Sequence, residues 1–353
     1  MNYKNKLFAV VITAIICVVA VMNFNQDVGE KIKIGVIIPL SGPAASIAED
    51  FNLILNDYQS IAENIEFVIQ DDQCSGKNAL SAYNMMKAQG IRIYMVACSG
   101  SILSLAPLVA EDNNVIVTGY GGSIEIRKTG DEVIRFIPDG LSIAEGVIRF
   151  IKQNPNTKYA IFSENQDYPK SIVDKLRQEV GAQIMYVDSY NASDSSFKTH
   201  ILKLQASVAD SVIYIPVSET AREIVYKEMQ QLGFNKKILG EVNVCDSTIL
   251  PKDFGLHGTC FKTVLTTNGF DTFVEDFSNT HARQPRYAFY NAISLDIAKI
   301  TDRFFKNVDV VTDEVISQFK GTILSGISGD VTSYKFTLDG EVIGGEYLEQ
   351  VDF

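Results

Sequence analysis

Three short loops carry the residues whose types and spacing could do chemistry. In the first, Cys98-Ser99-Gly100-Ser101, an apolar run leads into a helix-forming one. Ser99 or Ser101 can act as its N-cap, leaving backbone N–H groups and the positive end of the helix dipole pointing outward. A carboxylate or phosphate can be held there without an arginine. The second loop, Thr118-Gly119-Tyr120-Gly121-Gly122-Ser123, half-matches a dinucleotide fingerprint, but Ile124 stands where the third glycine belongs and no helix pattern follows. Its glycines therefore serve a turn or a close backbone approach. The third holds Asp71-Asp72, followed by Gln73-Cys74-Ser75-Gly76, which is turn and capping chemistry rather than a paired acid and base. The nucleophile-elbow, metalloprotease and phosphate-loop signatures are absent, so no catalytic residue is assigned.

These loops need elements to position them. From Lys31 to Thr118 short apolar runs at Lys31–Pro39, Ile65–Gln70, Ile91–Ala97 and Val115–Thr118 alternate with helix-length amphipathic stretches. A second series from about Gly140 repeats the pattern, with strands expected at Tyr159–Phe162, Gln183–Tyr190, Ser211–Ile215 and Lys237–Gly240. Alternation of this kind means βαβ units and parallel sheets, so the class is α/β. Such sheets bind ligands beyond the carboxyl ends of their strands, where the three loops fall. Near the end, Thr332–Tyr347 alternates about Asp339-Gly340, a hairpin signal.

Composition narrows the partners. A chain of 353 residues suits two lobes, and 46% hydrophobic residues supply their cores. A net charge of −12 argues against nucleic acid and anionic lipid. Lys4 and Lys6 precede an apolar run from Leu7 to Val21, shorter than the ~20 residues a bilayer needs. Residues 1–30 therefore read as a signal peptide or N-terminal anchor, with cleavage expected after Ala20. Localisation is accordingly periplasmic or extracytoplasmic. With Cys17 in that segment, Cys74, Cys98, Cys245 and Cys260 remain, enough for two disulfides. No CxxC pair occurs and histidines number three, so no metal site is expected.

The stretches IKIGVIIPLSGP, QDDQCSGKNAL and VACSGSILSLAPLVAEDNNVIVT, in that order, resemble the periplasmic leucine/isoleucine/valine-binding family of ABC importers. FSENQDYPKSIVDKLRQEVG resembles its second-lobe strand and helix. The resemblance implies the type I periplasmic binding protein fold, with two doubly wound parallel-sheet lobes joined by a multi-segment hinge. Lobe 1 is expected over 31–138 plus 266–325 and lobe 2 over 139–265 plus 326–353, with crossings near Gly119–Asp139, Leu265 and Gly326. It also implies a Cys74–Cys98 disulfide. Cys245 and Cys260 are not part of the family pattern but lie near enough in sequence for a second bridge.

Carried over residue by residue, the resemblance places Ser99 on the ligand's carboxylate, with Gly121 and Ser123 in the loop that completes that cradle. Tyr168 closes over the ligand from the second lobe. Ser218 stands where a second aromatic is expected, Ile47 where a tryptophan is, and Glu241 beside the position that pairs with the ligand's ammonium. The implied function is the solute-binding component of an ABC importer for an amino acid or similar carboxylate-bearing solute. Its implied partners are that small molecule and a membrane permease. The protein is expected to be a monomer that needs no cofactor. The alternatives on the same fold are a regulatory or structural periplasmic protein, such as a cell-wall synthase activator, and a membrane-anchored ligand sensor.

Overall fold

The run IKIGVII forms β1 (Ile32–Ile38), buried at every position but Lys33. A strand this apolar needs cover on both faces, and a parallel sheet provides it. In the computed structural model, which describes residues 30–137, 139–240, 244, 257–263, 268–325 and 346–352, β1 pairs in parallel with β2 (Ile65–Asp71) and with β3 (Ile93–Val96). Adding β4 (Val115–Thr118) and β5 (Val133–Arg135) gives the order β2-β1-β3-β4-β5. Side chains alternate between two cores, as the two-residue period of a strand requires. Ile34, Val36 and Ile38 pack on one side with Phe51 and Leu55 of α1 (Ala45–Gln59). Ile37, Tyr94 and Val96 pack on the other with Tyr83 of α2 (Gly76–Lys87) and Leu105 of α3 (Ser99–Glu111).

The second lobe repeats the plan. Its first strand, β6 (Tyr159–Glu164), lies between β7 (Ile184–Tyr190) and β8 (Ser211–Ile215), followed by β9 (Lys237–Gly240) and β10 (His257–Thr263). Two helices, α4 (Gly140–Gln153) and α5 (Asp167–Val180), cover one face. The other face carries α6 (Lys198–Ala206) and α7 (Glu219–Gln231). The helix spacing is legible in α4, where Ile143, Ala144, Val147, Ile148 and Ile151 all face the core. Each sheet therefore reverses its strand order once, between β1 and β3 and between β6 and β8, and ligands bind at such switch points.

Past β10 the chain returns to the first lobe as α8 (Asn268–His281), α9 (Ala288–Phe304) and α10 (Asp313–Ser325). Ile293, Ile297, Ile316 and Phe319 from the last two complete the core against β1. A final strand, β11 (Glu346–Asp352), rejoins the second sheet beside β10 and runs antiparallel to it. Among the described residues it is the one antiparallel strand in an otherwise parallel sheet. The chain leaves β10 for the first lobe and comes back from it, so it re-enters the sheet at the end it left, which makes the adjoining strand antiparallel. Among the described residues, elements of the two sheets succeed one another between β5 and α4, between β10 and α8, and between α10 and β11. Leu265, Gly326 and the expected Asp339-Gly340 hairpin lie outside the described residues, as does the N-terminal apolar segment. No described helix is long and apolar enough to cross a membrane.

The end of α1 is held from α9. Buried Asp302 accepts hydrogen bonds from Asn64 N (2.7 Å), Glu63 N (3.2 Å) and the Tyr58 hydroxyl (3.1 Å). Replacing Asp302 with Ala leaves those donors without their acceptor. The expected loss is about 2–3 kcal/mol of unfolding free energy, read from urea denaturation followed by circular dichroism.

Candidate functional site

A cavity of about 210 Å³ opens where the two switch points meet. That lies below the roughly 300 Å³ at which sites for drug-sized ligands begin, so the cavity has room only for a small molecule. Its lining comes from loops at the carboxyl ends of strands in both lobes: Ser99 and Gly100 after β3, Gly121 and Gly122 after β4, and Asp167 and Tyr168 after β6. Val217, after β8, adds an apolar wall from the second lobe.

Ser99 is the first residue of α3, and the N-cap is Cys98, in extended conformation. The cap expected at Ser99 or Ser101 thus falls on Cys98, which is bridged to Cys74 with their Cα atoms 5.3 Å apart. The bridge closes a 24-residue separation and contributes on the order of 3 kcal/mol in the chain-entropy account. Its partner Cys74 sits in left-handed backbone, φ 55°. One turn on, the Ser101 hydroxyl donates to Asp72 Oδ2 at 2.5 Å, and Cys74 N donates to Asp72 Oδ1 at 3.0 Å. Asp71 is a turn residue, accepting from Leu40 N and Gln73 N. The acid pair therefore fastens loops, in keeping with the turn chemistry expected of it.

The glycine loop lies against this helix end. Ser123 N donates to Ser99 Oγ at 3.1 Å, and the Ser123 hydroxyl accepts from Glu125 N, opening a short 3-10 helix at Ile124–Lys128. Ser123 is fully buried and stands behind the cavity wall rather than in it. The wall itself is Gly121 and Gly122. Gly121 has φ +75°, and a Cβ there would stand 2.4 Å from Ile102 Cδ1. A Cβ on Gly122 would stand 2.7 Å from the Tyr168 ring, so this glycine is what lets the second-lobe tyrosine approach. Arg135 fixes the loop from below, donating to Gly121 O (3.0 Å), Ser123 O (2.7 Å) and Asp139 Oδ2 (2.6 Å). Burial opposes the Arg135 charge and the Asp139 carboxylate supports it. Asp139 also binds Arg127 and caps α4 through Leu141 N, so this cluster sits on the first crossing between lobes.

On the second lobe, buried Glu164 ends β6 and joins two loops. Its Oε2 accepts from Val217 N (3.0 Å) and Ser218 N (2.8 Å), and its Oε1 from Gln166 Nε2 (2.6 Å). Burial pushes its carboxyl above the usual range against those bonds. Ser218 caps α7 by accepting from Ala221 N and donates to Pro43 O of the first lobe at 2.7 Å. It is fully buried, and Val217 lines the cavity beside it. Ile47 does line the cavity, from the first turn of α1. Glu241 and Cys245 lie outside the described residues, as does the side chain of Cys260 in β10.

Sequence reasoning did not single out Tyr120, Tyr287 and Tyr290, which also line the cavity. Tyr120 stacks between Phe51 and Tyr290, with ring centroids 5.2 and 5.4 Å away, and its hydroxyl donates to Asn291 Oδ1 at 2.8 Å. Its place inside the glycine loop was the available signal. Tyr290 lies in the first turn of α9, and Tyr287 precedes that helix in left-handed backbone, φ 49°, a conformation that no local sequence signal announced.

Asp72 yields a pH prediction. Burial raises its carboxyl above the usual value, while the bonds from Ser101 and Cys74 N act the other way. Folding therefore favours the protonated form. Its stabilisation is complete below the unfolded carboxylate value of about 3.9 and is lost as pH rises through the raised folded value. Asp72→Asn keeps a neutral side chain able to accept from Cys74 N and to donate to Ser101 Oγ. The unfolding free energy of the wild type minus that of Asp72→Asn is expected to fall between pH 4 and pH 7, as measured by urea denaturation at each pH.

A family model described as periplasmic binding protein matches residues 31–284. The Leu/Ile/Val-binding protein homolog 3 of Brucella melitensis biotype 1 is 21% identical over 366 residues, covering 93% of this chain and 97% of its own. Among solved structures, an ABC transporter solute binding protein from R. palustris in complex with benzoate aligns with a TM-score of 0.79 at 13% identity, covering 91% of this chain and 95% of that one. A branched-chain amino acid transporter substrate binding protein from Streptococcus pneumoniae, in complex with isoleucine, aligns with a TM-score of 0.72 at 15% identity, covering 92% and 97%. The two-lobed α/β architecture is theirs, and this chain belongs to the periplasmic binding protein family, as a binding protein and not an enzyme.

Proposed function

We propose that the protein is the exported solute-binding component of an ABC importer, taking an amino acid or similar small carboxylate-bearing molecule in the interlobe cleft. One observation carries this reading: the N-terminal turn of α3, with Ser99, and the Tyr168 ring face the same small cavity from opposite lobes. The first N–H groups of a helix have no partner within it, and the dipole adds partial positive charge. A carboxylate placed there gains hydrogen bonds from groups already aligned. Tyr168 and Val217 then cover the rest of the molecule from the second lobe.

Such a ligand contacts both lobes only when they are closed together. Its binding therefore shifts the hinge equilibrium toward closure, by as much as its affinity for the closed form exceeds that for the open one. A permease that reads the closed shape can then tell loaded from empty protein. The segment at residues 1–30 is assigned to export, and the protein acts as a monomer.

Ser99→Ala removes the hydroxyl that accepts from Ser123 N and lies at the cavity wall. Loss of a hydrogen bond to a charged group of about 1.5–3 kcal/mol corresponds to weakening of about 10- to 100-fold. The ligand is first identified by mass spectrometry of what purified protein releases on denaturation. Isothermal titration then expects that drop in affinity for Ser99→Ala; unchanged affinity for that ligand contradicts the site.

A further inference from the structure

We propose that Asp167 sets the charge class of the occupant: the cleft takes a molecule bearing a cation beside its carboxylate and disfavours one bearing a carboxylate alone. The inference rests on the reading of the α3 N-terminus as the carboxylate site.

Apart from tyrosine hydroxyls, Asp167 is the one ionisable side chain among the described residues lining the cavity. It opens α5 on the second lobe and is exposed. It also faces the first turn of α3 across the cleft. A Cβ built on Gly100 would stand 2.5 Å from Asp167 Oδ2, so this carboxylate reaches the same helix end that would hold the ligand's. The neighbouring acid Glu164 cannot take its part, since both of its oxygens already accept hydrogen bonds from the loops it joins. On the first-lobe side, Arg135 and Arg127 are both bound to Asp139, and on the second lobe buried Arg222 lies among Tyr287, Tyr226, Tyr214 and Glu219 rather than lining the cavity.

A helix N-terminus supplies roughly half a unit of positive charge. That suffices for one anion. Two carboxylates at the same turn, beside a low-dielectric protein wall, repel each other more strongly than in bulk solvent. A cation between them turns the conflict into a bridge. Because Asp167 reaches the same turn, that cation must lie within a bond or two of the ligand's carboxylate. The α-ammonium of an amino acid meets this spacing, whereas benzoate and simple aliphatic acids carry nothing there. Asp167 thus separates two ligand chemistries found in structurally similar proteins, isoleucine in one and benzoate in another.

The test is isothermal titration of the purified full chain with L-leucine against 4-methylpentanoate, L-phenylalanine against 3-phenylpropanoate, and benzoate. Each titration is run on wild type, Asp167→Asn and Ser99→Ala, with circular dichroism confirming the fold and Asp167→Ala as a second replacement. In the wild type at least one amino acid is expected to bind ~30-fold or more tighter than its deaminated partner, and Asp167→Asn is expected to shrink that ratio ~10-fold, with the plain acid gaining affinity. If Ser99→Ala weakens both members of a pair while Asp167→Asn leaves their ratio unchanged, the inference fails and the carboxylate site stands. If Ser99→Ala changes neither member, the carboxylate reading itself fails. Benzoate or a deaminated acid binding the wild type as tightly as the amino acids overturns the inference, and binding of no panel member overturns both.

Discussion

The N-terminus of α3 is held on three sides. Cys98 is bridged to Cys74, the Ser101 hydroxyl donates to buried Asp72, and Ser99 Oγ accepts from Ser123 N. An anion site made of backbone N–H groups works only when those groups cannot turn away to satisfy one another. Water is the competing solvent for a carboxylate, and a cradle that had to reorganise would return in ordering cost what it gained in hydrogen bonds. Two of the ties come from the loop following β2 and the third from the loop following β4, so the sheet order that sets those strands around β3 also sets the proposed cradle.

Rigidity on one lobe is matched by an independent frame on the other. Glu164 binds the loops after β6 and β8 into one unit, placing Tyr168 and Val217 on the opposite wall. Between the frames, the Arg127–Asp139–Arg135 cluster joins the glycine loop to the start of α4. A buried ionic cluster of this kind is weak evidence for stability but restricts geometry, since each group loses heavily if a partner moves away. Ser218, bonded to Pro43 O, adds a contact between lobes that requires no ligand.

The alternation of apolar runs made the two α/β series legible, because β1, β3, β6 and β8 are nearly all buried and flanked by amphipathic helices. The three-residue β5 was not legible, since so short a strand has no period to read. The antiparallel β11 was not either, because its direction depends on where the chain has just been rather than on its own residues. In the site, Ser99 and Gly121 stood out by local chemistry. Ser123 and Ser218 were placed in the right loops, yet their hydroxyls bond Glu125 N and Pro43 O, partners that only the folded loops define. Asp167 was hidden beside the more conspicuous Tyr168, and its importance comes from Gly100, 67 positions earlier and on the other lobe.

The central claim is that one small molecule is gripped from both lobes at once, with its carboxylate on the α3 N-terminus. A crystal structure of the protein with its co-purified ligand tests this most directly. The account predicts the ligand's carboxylate within hydrogen-bonding distance of Ser99 and the α3 backbone, with Tyr168 closing over it from the second lobe. A ligand seated on one lobe alone, or with its carboxylate turned away from Ser99, would contradict it.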